Sequence, residues 1–273
     1  MSGKSVAKTS INIAPLTGSI GGQVTGVKLG LLTDTEFEVI REAFLSHCML
    51  VFPEQYLSTD EHVAFAQRWG PPSVSPFVQY LDDYPCVLPL TNRGKAQSVT
   101  ENWHYDSTFL AAPPSATILS ARDVPVGGDT MWSNQYLAYD TLSDGMKQLL
   151  SGVRAEFTGA RLAKLAGGDR PIPRSFHPVV RTHPETGRKA LFIGRPGDTV
   201  PRLENMTELE SLPILRFLYD HSVAPDHIYR HRWSNGDVVM WDNRCTMHYA
   251  VHDYGDDAVR ELHRVSIQGT APA

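Results

Sequence analysis

The chain of 273 residues holds only three cysteines, Cys48, Cys86 and Cys245, and no two of them form a C-x-x-C pair. An odd number without paired spacing supports neither a disulfide framework nor a thiolate zinc site, and it fits a reducing cytoplasm. Positive charge is not in excess either, since 25 lysines and arginines against 30 aspartates and glutamates leave a net −5. No broad basic surface follows, which argues against nucleic acid as the main partner while leaving local cationic pockets open. Long apolar runs are missing: no stretch approaches the ~18 residues that a membrane helix needs, so no membrane partner is expected. Met1 to Ser10 is polar and lacks the apolar core of a signal peptide, so export is not expected. Internal repeats and low-complexity tracts are absent too.

What is present is an ordinary globular composition, 41% apolar, able to bury a sizeable core in one domain over residues 1–273. A homo-oligomer stays open. Ile11 to Leu29 alternates around Gly21-Gly22 and reads as short strands. Thr33 to Glu36 and Ser58 to Glu61 are capping boxes, each opening a helix, with Phe37, Ile40 and Phe44 on one face of the first. Met49 to Phe52 is a short buried strand. Residues 71–100 are rich in proline and aspartate and read as a long loop for the substrate. Thr117 to Arg122 is strand-like, and Gly127-Gly128 turns it into Asp129 to Trp132. Two hairpins are expected, one around Pro184 to Gly187 and a stronger one around Asn235-Gly236, which would join Tyr229–Trp233 to Val238–Trp241. An inserted segment at about 140–176 carries a helix near Gly145 to Leu150 and an irregular run from Arg154 to Pro173. A later helix near Leu212 to His221 takes Ser211 as cap and Pro213 in its first turn. Strands in succession with helices inserted make the fold mainly β with flanking helices, a sandwich or jelly roll.

The chemistry starts at Trp103-His104-Tyr105-Asp106, the only place where a histidine precedes an aspartate by two residues. On a strand such side chains share a face, so His104 and Asp106 could offer an imidazole nitrogen and a carboxylate oxygen to one ion. The plainer reading is a strand with a hydrogen-bonded histidine. A second run, Val238-Val-Met-Trp241-Asp-Asn-Arg-Cys-Thr-Met-His248, is an apolar strand that turns and delivers His248, the natural third ligand. Two histidines and a carboxylate leave coordination positions open on a non-haem Fe(II), as an oxygenase needs. His183-Pro-Glu185 has the same spacing, but at a hairpin tip, where its side chains would face solvent. Adjacent His252 and Asp253 would point to opposite faces, and His177 and His231 read as structural.

Taken together, Trp103 to Phe109, Gly127 to Trp132, His177 to Gly194, Tyr229 to His248 and Arg260 to Gln268 resemble, in order, the taurine and 2,4-dichlorophenoxyacetate dioxygenase family of Fe(II)/2-oxoglutarate enzymes. The resemblance implies a double-stranded β-helix, Fe(II) as the metal, and 2-oxoglutarate and O₂ as co-substrates. It places Arg260 on the arginine that holds the distal carboxylate of 2-oxoglutarate and Thr130 on the threonine beside it. A planar guanidinium can bind a carboxylate through two parallel bonds, which agrees. Arg264 would contact the anionic head of the substrate or the near carboxylate of 2-oxoglutarate, about 13 Å along the strand from Arg260; its plainer reading is a structural ion pair. Asp242, Asn243 and Trp103 would orient or pack around the ligands.

Where taurine dioxygenase has a histidine for the sulfonate, Ser75 stands here, in Val74-Ser75-Pro76, which points away from taurine. The expected function is hydroxylation, with or without bond cleavage, of a small organic anion: an aryloxyalkanoate, another carboxylate, a sulfonate or an alkyl sulfate. The rival readings are a zinc hydrolase on the same three ligands, which would need no O₂, and a jelly-roll binding protein without chemistry.

Overall fold

Alternation with period two, interrupted by capped helices, builds the architecture. The computed structural model describes residues 11–75, 77–92, 100–167, 171–255 and 257–273, so the leader expectation for Met1 to Ser10 lies outside the described residues. In chain order the strands are β1 (Asn12–Pro15), β2 (Gly22–Thr25), β3 (Met49–Phe52), β4 (Pro72–Ser73), β5 (Leu88–Thr91), β6 (Ala116–Asp123), β7 (Thr130–Asn134) and β8 (Arg154–Thr158). They continue with β9 (Arg174–Pro178), β10 (Val180–Thr182), β11 (Lys189–Leu191), β12 (Ile228–His231), β13 (Val238–Asp242), β14 (Thr246–Ala250) and β15 (Glu261–Ile267). The α-helices are α1 (Asp34–His47), α2 (Thr59–Gln67), α3 (Gln135–Asp140), α4 (Asp144–Leu149), α5 (Ala160–Ala166) and α6 (Glu208–Ser222).

Most regular structure is β. A large sheet runs β1-β2-β3-β13-β6-β15-β4, with β5 also on β15, and a smaller one runs β12-β7-β14. The centre of the large sheet, at β3 and β13, is buried on both faces, which is why Met49-Leu50-Val51-Phe52 is apolar throughout. Leu50, Phe52, Ile118, Met240, Val265 and Ile267 face Ile40 and Phe44 of α1 and Phe65 of α2. The alternate residues Val51, Leu119, Val239, Trp241 and Leu262 face inward with Trp132 of β7. The second layer is thus the small sheet, and the site lies between the two.

Both expected capping boxes form, with Thr33 accepting from the Glu36 amide and Ser58 from the Glu61 amide. Phe37, Ile40 and Phe44 are buried, and Cys48, at φ 65°, ends α1 in the left-handed region. The expected Pro184 to Gly187 hairpin is β10–β11. No helix among the described residues is long and apolar enough to cross a membrane.

Four expectations need correction. The strands flanking Asn235-Gly236 are not a hairpin: β12 pairs with β7, whereas β13 pairs with β3 and β6. Gly236, at φ 86°, instead turns a corner between sheets, its carbonyl accepting from the amides of Gln55 and Tyr56. Helix α6 starts before Ser211. Thr207 caps it in a third capping box with Glu210, and Pro213 lies inside the helix, not in its first turn. The Ser211 hydroxyl donates back to the Thr207 carbonyl and accepts from the Leu203 amide. The run from Arg154 to Pro173 is not irregular, since β8 and α5 occupy it, and β8 pairs with β9. The expected loop 71–100 contributes β4 and β5 to the edge of β15, with residues 93–99 outside the described residues.

A helix that begins at Glu208 loses its first orphan-amide partner when Thr207 is truncated. Thr207→Ala should cost about 1 kcal/mol of unfolding free energy in urea titration, and Thr207→Ser almost nothing. A silent Thr207→Ala would place the helix start downstream.

Candidate active site

His104 and His248 are brought together by backbone pairing. Each amide donates to the other residue's carbonyl, at 3.0 and 2.9 Å, so the His104 segment lines the free edge of β14. The imidazole centroids stand 4.1 Å apart. His104 is therefore a single bridge residue and not part of a regular strand. Asp106 follows in a turn, with Ser107 at φ 47° just beyond it. The turn still presents the carboxylate to the same point: one donor atom from each of His104, Asp106 and His248 lies within 4.8 Å of the others.

The protonation states suit ligation. His104 Nδ1 lies 2.7 Å from the Asn102 carbonyl, so it carries the proton and leaves Nε2 with a lone pair. Burial holds the His248 imidazole well below its ordinary pKa, with His104 beside it acting in the same sense, and burial lowers His104 as well. Burial alone would raise Asp106. The Arg264 guanidinium, both imidazoles and the Thr117 hydroxyl outweigh it and hold the carboxyl well below the usual range. Two neutral imidazoles and one carboxylate are a donor set that Fe(II) fits. Trp241 packs its ring 4.7 Å from that of His248, steadying it.

Beside His248 opens a cavity of about 860 Å³, lined also by Thr130, Trp241, Arg260, Leu262 and Arg264. Arg260 is buried there; its Nε donates to the Gly128 carbonyl at 2.8 Å and Nη2 to the Thr130 hydroxyl at 3.4 Å. Among the described residues no carboxylate forms an ion pair with it. Arg264 donates from Nη1 to Asp106 Oδ1 at 3.0 Å, so part of its charge is already used. Both arginines line one wall, despite a register shift between Glu261 and Leu262. The Gly127-Gly128 turn is obligatory: both φ values are positive, and a Cβ on Gly128 would meet Arg260 at 2.8 Å.

Ser75 is not brought to this wall. Its amide donates to the Tyr80 hydroxyl at 2.6 Å, and Phe77 and Tyr80 line the cavity in its place. His183 also differs from expectation: it is fully buried and does not face solvent. Its Nδ1 accepts from the amides of Glu185 and Thr186, so Nε2 donates to Asp242 at 3.0 Å. Arg244 grips the same carboxylate from Nε and Nη2, at 2.8 and 2.7 Å, and reaches Glu185, which Arg41 also holds. This buried cluster fixes the turn that feeds β14. His252 pairs with Glu101 and Asp253 with Arg230, while His177 bonds to the carbonyls of Thr108 and Leu110 and His231 to Asp237.

Sequence reasoning missed Thr117, Gly128 and the apolar residues of α5. Nothing local marks Thr117 as a partner of Asp106. Gly128 acts through its carbonyl, and α5 fell in the run read as irregular.

Three such donors leave half the positions of a six-coordinate metal open, and a buried guanidinium beside them suits a co-substrate carboxylate; the arrangement belongs to the non-haem oxygenases that consume a 2-oxo acid. Residues 12–266 match the family described as taurine catabolism dioxygenase TauD, TfdA family. The chain is 35% identical to the (S)-phenoxypropionate/alpha-ketoglutarate-dioxygenase of Sphingobium herbicidovorans, over 88% of this chain and 89% of that protein. It is 33% identical to an alkylsulfatase of Acinetobacter baylyi, over 95% and 85%. A taurine dioxygenase structure from Burkholderia xenovorans superposes with a TM-score of 0.85 at 33% identity, over 97% of this chain and 93% of that one. The chain belongs to the TauD, TfdA family and is an Fe(II)- and 2-oxoglutarate-dependent dioxygenase.

The Asp242 cluster yields a stability prediction. Asp242→Ala removes the acceptor of Arg244 Nε and Nη2 and of His183 Nε2 in a buried place, leaving Arg244 its bond to Glu185, and should cost about 3–5 kcal/mol in urea unfolding. A loss below about 1 kcal/mol would mean that Arg244 finds water or another acceptor.

Proposed function

We propose that this dioxygenase hydroxylates a small organic anion with an apolar body, an aryloxyalkanoate or alkyl sulfate in preference to taurine. The observation that carries the reading is the cavity itself, whose lining joins the guanidinium groups of Arg260 and Arg264 to apolar side chains, among them Phe77 and Leu81 with Leu162 and Leu165 of α5. An alkyl or aryl body gains from such a wall at about 25 cal/mol per Å² of apolar surface buried. Taurine, with two charged ends and two methylenes, gains little. Relatives named for phenoxypropionate and for alkyl sulfates support the same class. We also infer a double-stranded β-helix made from the two facing sheets, one domain over residues 1–273, and a cytoplasmic setting, which the three free cysteines support.

In this reading His104, Asp106 and His248 hold Fe(II). Arg260, oriented by the Gly128 carbonyl, takes the distal carboxylate of 2-oxoglutarate with Thr130 donating beside it. Arg264 keeps one Nη on Asp106 and turns its other donors to the substrate's anionic head or to the near carboxylate of 2-oxoglutarate. With Fe(II), 2-oxoglutarate and O₂ bound, the metal supplies an oxidation in which substrate C–H becomes C–OH while 2-oxoglutarate leaves as succinate and CO₂. The chain's own part is to fix the anion so that one C–H faces the three donors, and to shield that point with Trp241, Leu262 and the α5 leucines. Where the hydroxylated carbon carries an oxygen or sulfur leaving group, the product collapses and the bond breaks.

The test is a panel of aryloxyalkanoates, alkyl sulfates, other carboxylates, sulfonates and taurine, with succinate and product followed together. The apolar-bodied anions should give the highest kcat/KM with near-equal succinate and product; taurine as the best substrate would overturn the proposal. Losing a charge-assisted bond to a carboxylate should make Arg260→Ala bind 2-oxoglutarate ~10- to 100-fold more weakly, and excess 2-oxoglutarate should partly restore its rate. Arg264→Ala should instead form more succinate per product. If it loses only 2-oxoglutarate affinity with coupling unchanged, Arg264 belongs to the co-substrate.

A further inference from the structure

Behind Asp106 runs a chain of buried hydrogen bonds that the activity does not by itself require. Trp241 Nε1 donates to Asn243 Oδ1 at 2.9 Å. Asn243 Nδ2 donates to Thr117 Oγ1 at 2.8 Å, and Thr117 Oγ1 donates to Asp106 Oδ2 at 2.7 Å. All four side chains are buried. We propose that Trp241, Asn243 and Thr117 form a one-way relay that makes Asp106 a one-oxygen metal ligand, with Thr117 as its positioning residue. The proposal rests on the reading of His104, Asp106 and His248 as the metal ligands.

The direction follows from donor chemistry. An indole N–H can only donate, so it fixes which end of the Asn243 amide faces it. The NH₂ end is then forced towards Thr117. A hydroxyl has one proton, and with Asn243 donating to its oxygen, that proton goes to the ionised Asp106, which can only accept. The Ser266 hydroxyl, 3.2 Å from Thr117 Oγ1, can add a second donor without reversing the order. The result is an Asp106 carboxylate with Oδ2 engaged from behind and Oδ1 turned to the site, 3.8 Å from His248 Nε2 and 3.0 Å from Arg264 Nη1.

This matters because the reaction needs three positions, two for the chelating oxygens of 2-oxoglutarate and one for O₂. A carboxylate free to swing and use both oxygens would take one of them. It would also have to be ordered each time metal bound. Partners that orient metal ligands are typically worth ~10- to 100-fold in metal affinity or activity. A purely structural role predicts something else: losing the Thr117 hydroxyl would lower stability and leave ligand affinities alone.

The experiment measures Mn(II) binding to the metal-free protein by calorimetry, and 2-oxoglutarate binding at saturating Mn(II), for the wild type, Thr117→Val, Thr117→Ser, Asn243→Ala and His248→Ala. Thr117→Val should weaken both constants ~10-fold or more, Thr117→Ser should restore them to within about threefold, and Asn243→Ala should weaken them in the same direction. The relay is overturned if Thr117→Val leaves either constant within about twofold of the wild type, or if Thr117→Ser is as weak as Thr117→Val. Should Thr117→Val fail to fold, Asn243→Ala decides, and wild-type affinity there overturns the relay. His248→Ala separates the two readings. If it keeps Mn(II), the ligand assignment falls and the relay with it; if it loses Mn(II) while Thr117→Val keeps it, only the relay falls.

Discussion

Two backbone hydrogen bonds between His104 and His248 carry the site. They join segments far apart in sequence and hold their imidazoles side by side. Because the bonds are exchanged in both directions, neither histidine can shift along the other without breaking the pair. Asp106 is then placed by a short turn from His104, so a single register decides where all three donors point. β14 is itself held by β7, with His248 opposite Trp132, and Trp132 packs into the inner face of the large sheet. The position of the donors is in this way a property of how the two sheets meet.

The buried carboxylates of the site follow one rule. Asp106 has Arg264, and Asp242 has Arg244 and a histidine donor. Burying a carboxylate without a partner would be costly, and each of these two has a guanidinium. Arg260 is the reverse case, a buried guanidinium that among the described residues bonds the Gly128 carbonyl and, more distantly, the Thr130 hydroxyl and pairs with no carboxylate. A guanidinium kept this way is suited to a carboxylate brought by a ligand. The same logic explains why Arg264 cannot be read as a substrate residue alone, because it also neutralises the carboxylate among the three donors.

Legibility in the sequence followed the range of the interaction. The capping boxes at Thr33 and Ser58 are local and were readable. The same signature at Thr207 was equally present, but Pro213 drew the expected helix start downstream to Ser211. Asn235-Gly236 announces a reversal, yet whether two strands pair with each other or with distant partners depends on β3, β6 and β7, which no local pattern names. Of the site, the meeting of His104, Asp106 and His248 was legible from spacing and their order along the chain, and resemblance pointed to Arg260, Thr130 and Arg264, which line one cavity. The burial of His183 was not legible, because its partner Asp242 lies on another strand, and neither was Thr117, whose role depends on facing Asp106 across the inner surface. Ser75 meets the cavity through a neighbour, its amide donating to the hydroxyl of the lining residue Tyr80.

The central claim is that three donors and Arg260 together present Fe(II) to a chelating 2-oxo acid. The most direct measurement is the visible spectrum of the Fe(II)-loaded protein as 2-oxoglutarate is added without oxygen. A weak charge-transfer band should grow with 2-oxoglutarate and bleach when O₂ is admitted, with succinate formed. Absence of the band, together with full turnover by zinc-loaded protein in the absence of O₂, would contradict the account and make the same three side chains a hydrolytic site.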